Sequence, residues 1–171
     1  VKGNRLGNET SLGLGATWDL DGQWQLLAGV HEGFAPPGAD SVEGTEAEES
    51  LNYEGGVRYT DERYSADAIF FYSDYRNTIK NCSVANPCTG GLTVGTESLG
   101  ESQIQGVEIG LNTEFGAPAG TTWPLRLSYT WTDAEVTEDS ETGNVLEGDT
   151  LADIPEQVVA LSLGLVHPSG W

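Results

Sequence analysis

Cys82 and Cys88 are the only cysteines of the chain, set in Cys-Ser-Val-Ala-Asn-Pro-Cys with no histidine nearby. Two thiols without further ligands make a poor metal site, whereas a short disulfide stapling an exposed loop suits an oxidising compartment. This loop is therefore expected outside the cytosol. A second kind of chemistry is offered by Glu54, Arg58, Glu108 and Arg126, which all occupy the small, polar positions of alternating segments. Charges on an inward face are costly unless paired, so these four are expected to form a salt-bridge network lining a wet lumen. His31 and His167 are the only imidazoles. His31 falls near the end of an alternating segment on the same small-residue face, and Arg76 and Lys80 are almost the only cations beside the long loops. These three are the candidate ligand contacts. Asp19, Asp21 and Gly22 lack the remaining ligands of a calcium loop and read as a hairpin turn.

No Gly-x-Ser-x-Gly elbow, His-Glu-x-x-His pair, phosphate-binding glycine loop or cluster of metal ligands at a known spacing occurs. A hydrolase using one of the serines with His31 or His167 would need a histidine–acid–serine constellation that the chain does not declare. Neither an enzyme nor a resident metal or cofactor is expected.

The elements that must position these residues follow a period of two. Leu12, Leu14, Ala16, Trp18 and Leu20 alternate with Ser11, Gly13, Gly15, Thr17 and Asp19, a pattern that only a β-strand places on two faces. Similar alternation predicts strands at about 9–20, 23–34, 50–60, 64–77, 100–115, 123–136 and 156–167, with an eighth cut off at Trp171. Short links at Asp21-Gly22, Asp61 to Arg63 and Gly116 to Thr122 alternate with long ones at Ala35 to Glu49, Thr78 to Leu99 and Thr137 to Pro155. Short turns on one side and long loops on the other, with strands near the ~9 to 11 residues that span a bilayer, mark an outer-membrane barrel. The expected fold is all-β: an antiparallel up-and-down meander forming part of a transmembrane β-barrel, about 7 to 8 strands. Strand four, with Ile69-Phe70-Phe71-Tyr72, is ambiguous as to which face is apolar.

Aromatic positions favour lipid over a soluble sandwich, which also alternates. Trp18 and Trp24, Tyr59 and Tyr64, and Phe115 and Trp123 flank the short turns; Phe34, Tyr53, Tyr72, Tyr75, Tyr129 and Trp131 lie toward the long loops. Two belts of amphipathic rings suit the two water boundaries of a membrane. The 27 acids against 7 Lys plus Arg give a net charge of −20, which disfavours a nucleic-acid partner. Asp40, Glu43, Glu46, Glu48 and Glu49 crowd the first long loop, and Asp133, Glu135, Glu138, Asp139, Glu141, Glu147, Asp149 and Asp153 the third. They read as a solvated outer surface, with a calcium or lipopolysaccharide-bridging site as the sharper alternative. No run of 18 apolar residues occurs, and the absence of a leader at Val1 suggests a mature or truncated chain.

The runs Ala28-Gly29-Val30-His31-Glu32-Gly33-Phe34-Ala35-Pro36-Pro37, Glu49 to Tyr59 and Phe70 to Asn77 stand in a recognisable order. Ile104 to Glu108, Ser128 to Ala134 and Gly148-Asp149 to Ile154-Pro155 continue it. Together they resemble the late barrel of TonB-dependent outer-membrane receptors of the ferric dicitrate or siderophore type, from about Ser11 onward. The resemblance implies residence in the outer membrane of a Gram-negative bacterium and import of a ferric chelate with TonB-supplied energy. It also implies partners: the rest of the barrel, a plug that the inward charges would contact, TonB acting through a missing N-terminal part, and outer-membrane lipid. Residues 1–171 are expected to be a single barrel segment without the plug. The alternative reading is a soluble acidic β-sandwich that binds carbohydrate or calcium.

Overall fold

In a computed structural model of the protein, residues 10–36, 47–85, 87, 91, 93–117, 120–138 and 146–170 are described. They form one seven-stranded sheet: β1 (Gly13–Asp19), β2 (Trp24–Ala35), β3 (Glu48–Thr60), β4 (Tyr64–Asn81), β5 (Thr96–Gly116), β6 (Thr122–Val136) and β7 (Gln157–Leu163). Every strand pairs antiparallel with its sequence neighbour, in the order β1 to β7. The short links therefore share one side and the long links the other, as the spacing predicts.

Cross-strand partners share a face, so the register sorts the side chains. Leu26, Val57, Ala68, Ile109, Tyr129 and Val159 lie in one row across the sheet; Gly29, Glu54, Phe71, Gly106 and Thr132 lie in a row on the opposite face. The ambiguous run in β4 is settled by this register. Phe70 and Tyr72 belong to the apolar face, while Ile69 and Phe71 point to the polar one. They fit there because glycines face them. A Cβ on Gly106 would stand 2.5 Å from the Phe71 ring, and one on Gly56 would meet the Ile69 side chain at 2.5 Å. Each large side chain lies across the space a neighbouring strand leaves empty.

The apolar face is not covered. Trp18 is 71% exposed and Leu161 69%, and no second sheet lies over them among the described residues. A β-sandwich needs that second layer, so the soluble alternative lacks its defining element. Among the described residues, only Ala134, Val136 and Leu151 form a buried apolar cluster, at the long-loop end.

The Asp21-Gly22 hairpin turn forms as expected: Leu20 N donates to Trp24 O at 2.9 Å, and Asp21 Oδ1 accepts from the amides of Gln23 and Trp24 at 2.8 Å each. Three expectations are corrected. The second long link is shorter than expected, because β4 and β5 continue pairing beyond a register shift at Tyr75/Thr78. The third is not all loop: Leu151 N donates to Ala134 O and Val136 N to Asp149 O, so this stretch returns along the edge of β6. No eighth strand forms among the described residues; past Leu163 a lone bridge joins Val166 to Thr122 and a turn follows, with Trp171 outside the described residues.

The turn between β3 and β4 repeats the device of the first. Asp61 Oδ1 accepts from the amides of Arg63 at 2.8 Å and Tyr64 at 2.6 Å, and Oδ2 from the Tyr59 hydroxyl at 2.7 Å. The Tyr59 hydroxyl first, and then the two amides, hold the Asp61 carboxyl below its ordinary value. A depressed carboxyl stabilises the turn above the unfolded value near 3.8 and loses that contribution as pH falls through the lower folded one. Hydrogen exchange of the Tyr64 amide should accordingly quicken in Asp61→Ala at neutral pH. In the unsubstituted protein its protection relative to the intrinsic exchange rate at each pH should fall only on acidification below that range.

Candidate functional site

The outward face carries an apolar band with a boundary at each end. At the short-turn end the boundary is aromatic. Trp24 packs against Tyr59 with ring centroids 4.9 Å apart, Tyr64 stands one register row further out, and Phe115 and Trp123, paired with each other, one row beyond that. At the long-loop end the boundary is polar: Glu32, Leu51 and Asp74 share a row, and on β5 and β6 it comes one row earlier, at Gln105 and Asp133. Gln105 Nε2 donates to Asp133 Oδ2 at 3.3 Å. Both boundaries thus descend from β4 to β6 in the same direction, and over those three strands the distance between them is constant, while Trp24 to Glu32 on β2 and Tyr59 to Leu51 on β3 span eight positions. Tyr64 to Asp74, Phe115 to Gln105 and Trp123 to Asp133 are each ten positions, about 33 Å of strand at ~3.3 Å per residue. Tilted by ~40°, that is a band about 25 Å tall, the height of the lipid-facing zone of an outer-membrane barrel. Outward side chains between the boundaries carry no charge among the described residues; the non-aromatic polar ones there are Thr113, whose buried hydroxyl lacks a partner, and Gln157 at the start of β7.

The inward face is the reverse. Glu54, Arg58 and Glu108 line one hollow of about 570 Å³ with Thr17, Leu27 and Phe71. Arg126 sits apart, in a larger hollow of about 1400 Å³ near the short turns, where its Nε donates to Asn112 Oδ1 at 2.8 Å. The expected four-residue network is therefore two groups. Glu54, Arg58 and Glu108 face one space without a hydrogen bond among themselves, and Asp67, opposite Arg58 in register, leans over Gly110 on the far strand.

The candidate ligand contacts do not converge. His31 faces inward above Glu54, beside Asn52, whose Nδ2 donates to His31 O at 3.2 Å. Arg76 pairs with Glu49 in register and so faces outward, with Phe34. Lys80 is placed only by its backbone pairing with Glu97. Tyr75, expected in the outer aromatic belt, faces inward between Ser50 and Ser102, since outward Tyr72 fixes the opposite parity three residues on. Cys82 is disulfide-bonded; Cys88 lies outside the described residues, as do Asp40, Glu43, Glu46, Asp139 and Glu141.

The profile of the family described as TonB dependent receptor-like, beta-barrel, matches residues 1–171. The chain belongs to this TonB-dependent receptor β-barrel family. Membership places it in the outer membrane of a Gram-negative bacterium, and neither the family nor its structural neighbours are enzymes. No curated protein is similar enough to count as a relative. Among solved structures, the ferric yersiniabactin uptake receptor of Yersinia pestis superposes with a TM-score of 0.65 at 22% identity, over 88% of this chain and 22% of that one. The FrpB iron transporter of Neisseria meningitidis gives 0.63 at 16% identity, over 90% and 24%. The ferripyoverdine receptor of the Pseudomonas aeruginosa outer membrane gives 0.62 at 19%, over 88% and 19%. The TonB-dependent receptor segment described here thus spans about a fifth to a quarter of the length of these neighbours.

Proposed function

We propose that this chain is one arc of the wall of an outer-membrane receptor that binds a ferric chelate at the cell surface and imports it with energy delivered through TonB. Residues 1–171 supply barrel wall alone in this reading; the plug, the remaining strands and TonB are the partners. The observation that carries it is the pairing of an outward, uncharged band eight to ten positions long with an inward face that carries charges. Glu54, Arg58 and Glu108 supply inward charges without mutual bonds, which suits contact with a polar plug better than packing of the wall itself. The iron-uptake roles of the structural neighbours support iron uptake in general.

In cells lacking the receptor gene, the intact receptor should restore uptake of a radiolabelled ferric chelate from a panel of siderophores. That uptake should vanish when TonB is deleted. Restoration that persists without TonB, or no uptake of any chelate, would overturn the reading. The Cys82–Cys88 disulfide belongs to the same proposal, because it suits a β4–β5 link held outside the cytosol. Thiol titration of the unreduced, denatured receptor segment should find neither of its two cysteines free; two reactive thiols would remove that support.

A further inference from the structure

Toward the long links, the acids among the described residues are not distributed evenly between the two faces. Above the lipid band, Glu32, Glu49, Asp74, Asp133 and Glu135 all fall on outward rows. The inward wall at the same height is neutral. One row runs His31, Asn52, Ser73, Ile104 and Ala134; the next runs Gly33, Ser50, Tyr75, Ser102 and Val136. The nearest inward charges among the described residues are carboxylates, Glu54 below and Glu48 above. Arg76, the one described cation at this height, is on the other face.

We propose that His31, Asn52, Ser73 and Tyr75 form the cargo-facing wall of this segment and favour ferric chelates of zero or low net charge that present amide, hydroxamate or hydroxyl oxygens. The inference rests on the uptake reading above and names the substrate class for it. An anionic chelate brought against this wall finds no cation among the described side chains to replace its lost hydration, and the Glu54 carboxylate lies below it. A neutral chelate meets hydrogen-bonding groups instead. His31 is exposed, whereas Asn52, Ser73 and Tyr75 are half-buried, so their positions are held without closing them to a ligand. Asn52 is fixed further by its bond to Ser50 Oγ at 3.0 Å. The β5–β6 side is stiffened behind them, where the Thr78 and Ser102 hydroxyls bond at 2.5 Å and Leu151 closes over Ala134 and Val136. A wall held in place before binding loses less freedom when the ligand arrives.

The test is equilibrium binding to the purified intact receptor, with ferrichrome as the neutral ferric trihydroxamate and the ferric tris(catecholate) trianion as its counterpart. The neutral chelate should bind at least about tenfold more tightly. Tyr75→Phe should weaken ferrichrome by about fivefold through loss of one hydrogen bond, and Asn52→Lys should shift the preference toward the trianion by about fivefold or more. A heat-modifiable gel shift confirms that each variant is folded, and Asn52→Ser serves as the conservative control. Tighter binding of the trianion by the unsubstituted receptor overturns the charge assignment while leaving uptake intact. A preference unmoved by folded Tyr75→Phe and Asn52→Lys variants overturns the assignment to this wall. Binding of neither chelate, together with no uptake from the siderophore panel, overturns both this inference and the reading on which it rests.

Discussion

Leu111→Arg in the intact receptor is expected to abolish membrane assembly and, with it, chelate uptake. Leu111 lies in the outward row of Ala66, Leu127 and Leu161, near the middle of the band. A cation there costs ~2 to 4 kcal/mol near the bilayer midplane, a large share of the 5–15 kcal/mol that typically separates folded from unfolded protein. Ile109→Arg, one row away on the same face, should behave alike. Ser128→Asn, on the inward face opposite Gly110, should assemble normally. Asn112 is a poorer control, since its side-chain oxygen holds Arg126. Heat-modifiable mobility of outer-membrane fractions reads assembly directly. Equal tolerance of arginine at Leu111 and of asparagine at Ser128 would mean that β5 does not face lipid.

Gly106→Ala is expected to be the most damaging small substitution in the segment, destabilising it by about 1–3 kcal/mol. The added methyl would meet the Trp131 carbonyl oxygen on β6 and the Phe71 ring on β4. Neither can move freely, because the first is ladder backbone and the second is held in the sheet. Gly29→Ala is the matched control, with only the Leu14 carbonyl near the new atom, at 3.9 Å. Urea midpoints of the receptor in detergent should separate the two. If Phe71→Leu is combined with Gly106→Ala, part of the loss should return, since the shorter side chain vacates the space the methyl needs. Equal midpoints for the two alanine variants would show that the Phe71–Gly106 contact does not constrain the wall.

Much of this architecture is legible from residue order because a lipid-facing wall obeys one rule along its length. Leu125, Leu127, Tyr129 and Trp131 could be assigned outward from alternation alone, and the register agrees. The rule fails where both faces hold large apolar groups. In Ile69-Phe70-Phe71-Tyr72 the parity became clear only from Gly56 and Gly106 on the flanking strands, which are distant in sequence. Tyr75 was misplaced for a related reason: a ring near a long loop resembles a belt residue unless its parity is counted from Tyr72. The return of Leu151 onto β6 carries no local pattern, since one leucine among turn residues announces neither strand nor core. The candidate site is less legible than the fold. Charge signs could be read from the chain, but the split of Arg126 from Glu54, Arg58 and Glu108 depends on register, and so does the outward aim of Arg76.

The two aspartate-closed turns have a consequence for how such a wall can change over time. At Asp21 and Asp61 a carboxylate pins the first amides of the following strand, so the phase of each hairpin is set at its short end. The opposite ends contribute little to that phase. Residues joining β2 to β3, or β6 to β7 outside the Gly148–Leu151 return along β6, can be lengthened, shortened or exchanged without moving the strands they connect. The receptor thus keeps its mechanical frame on one side of the membrane and leaves the other side open to revision, as a loom holds its warp fixed at one beam while the pattern is rewoven at the other.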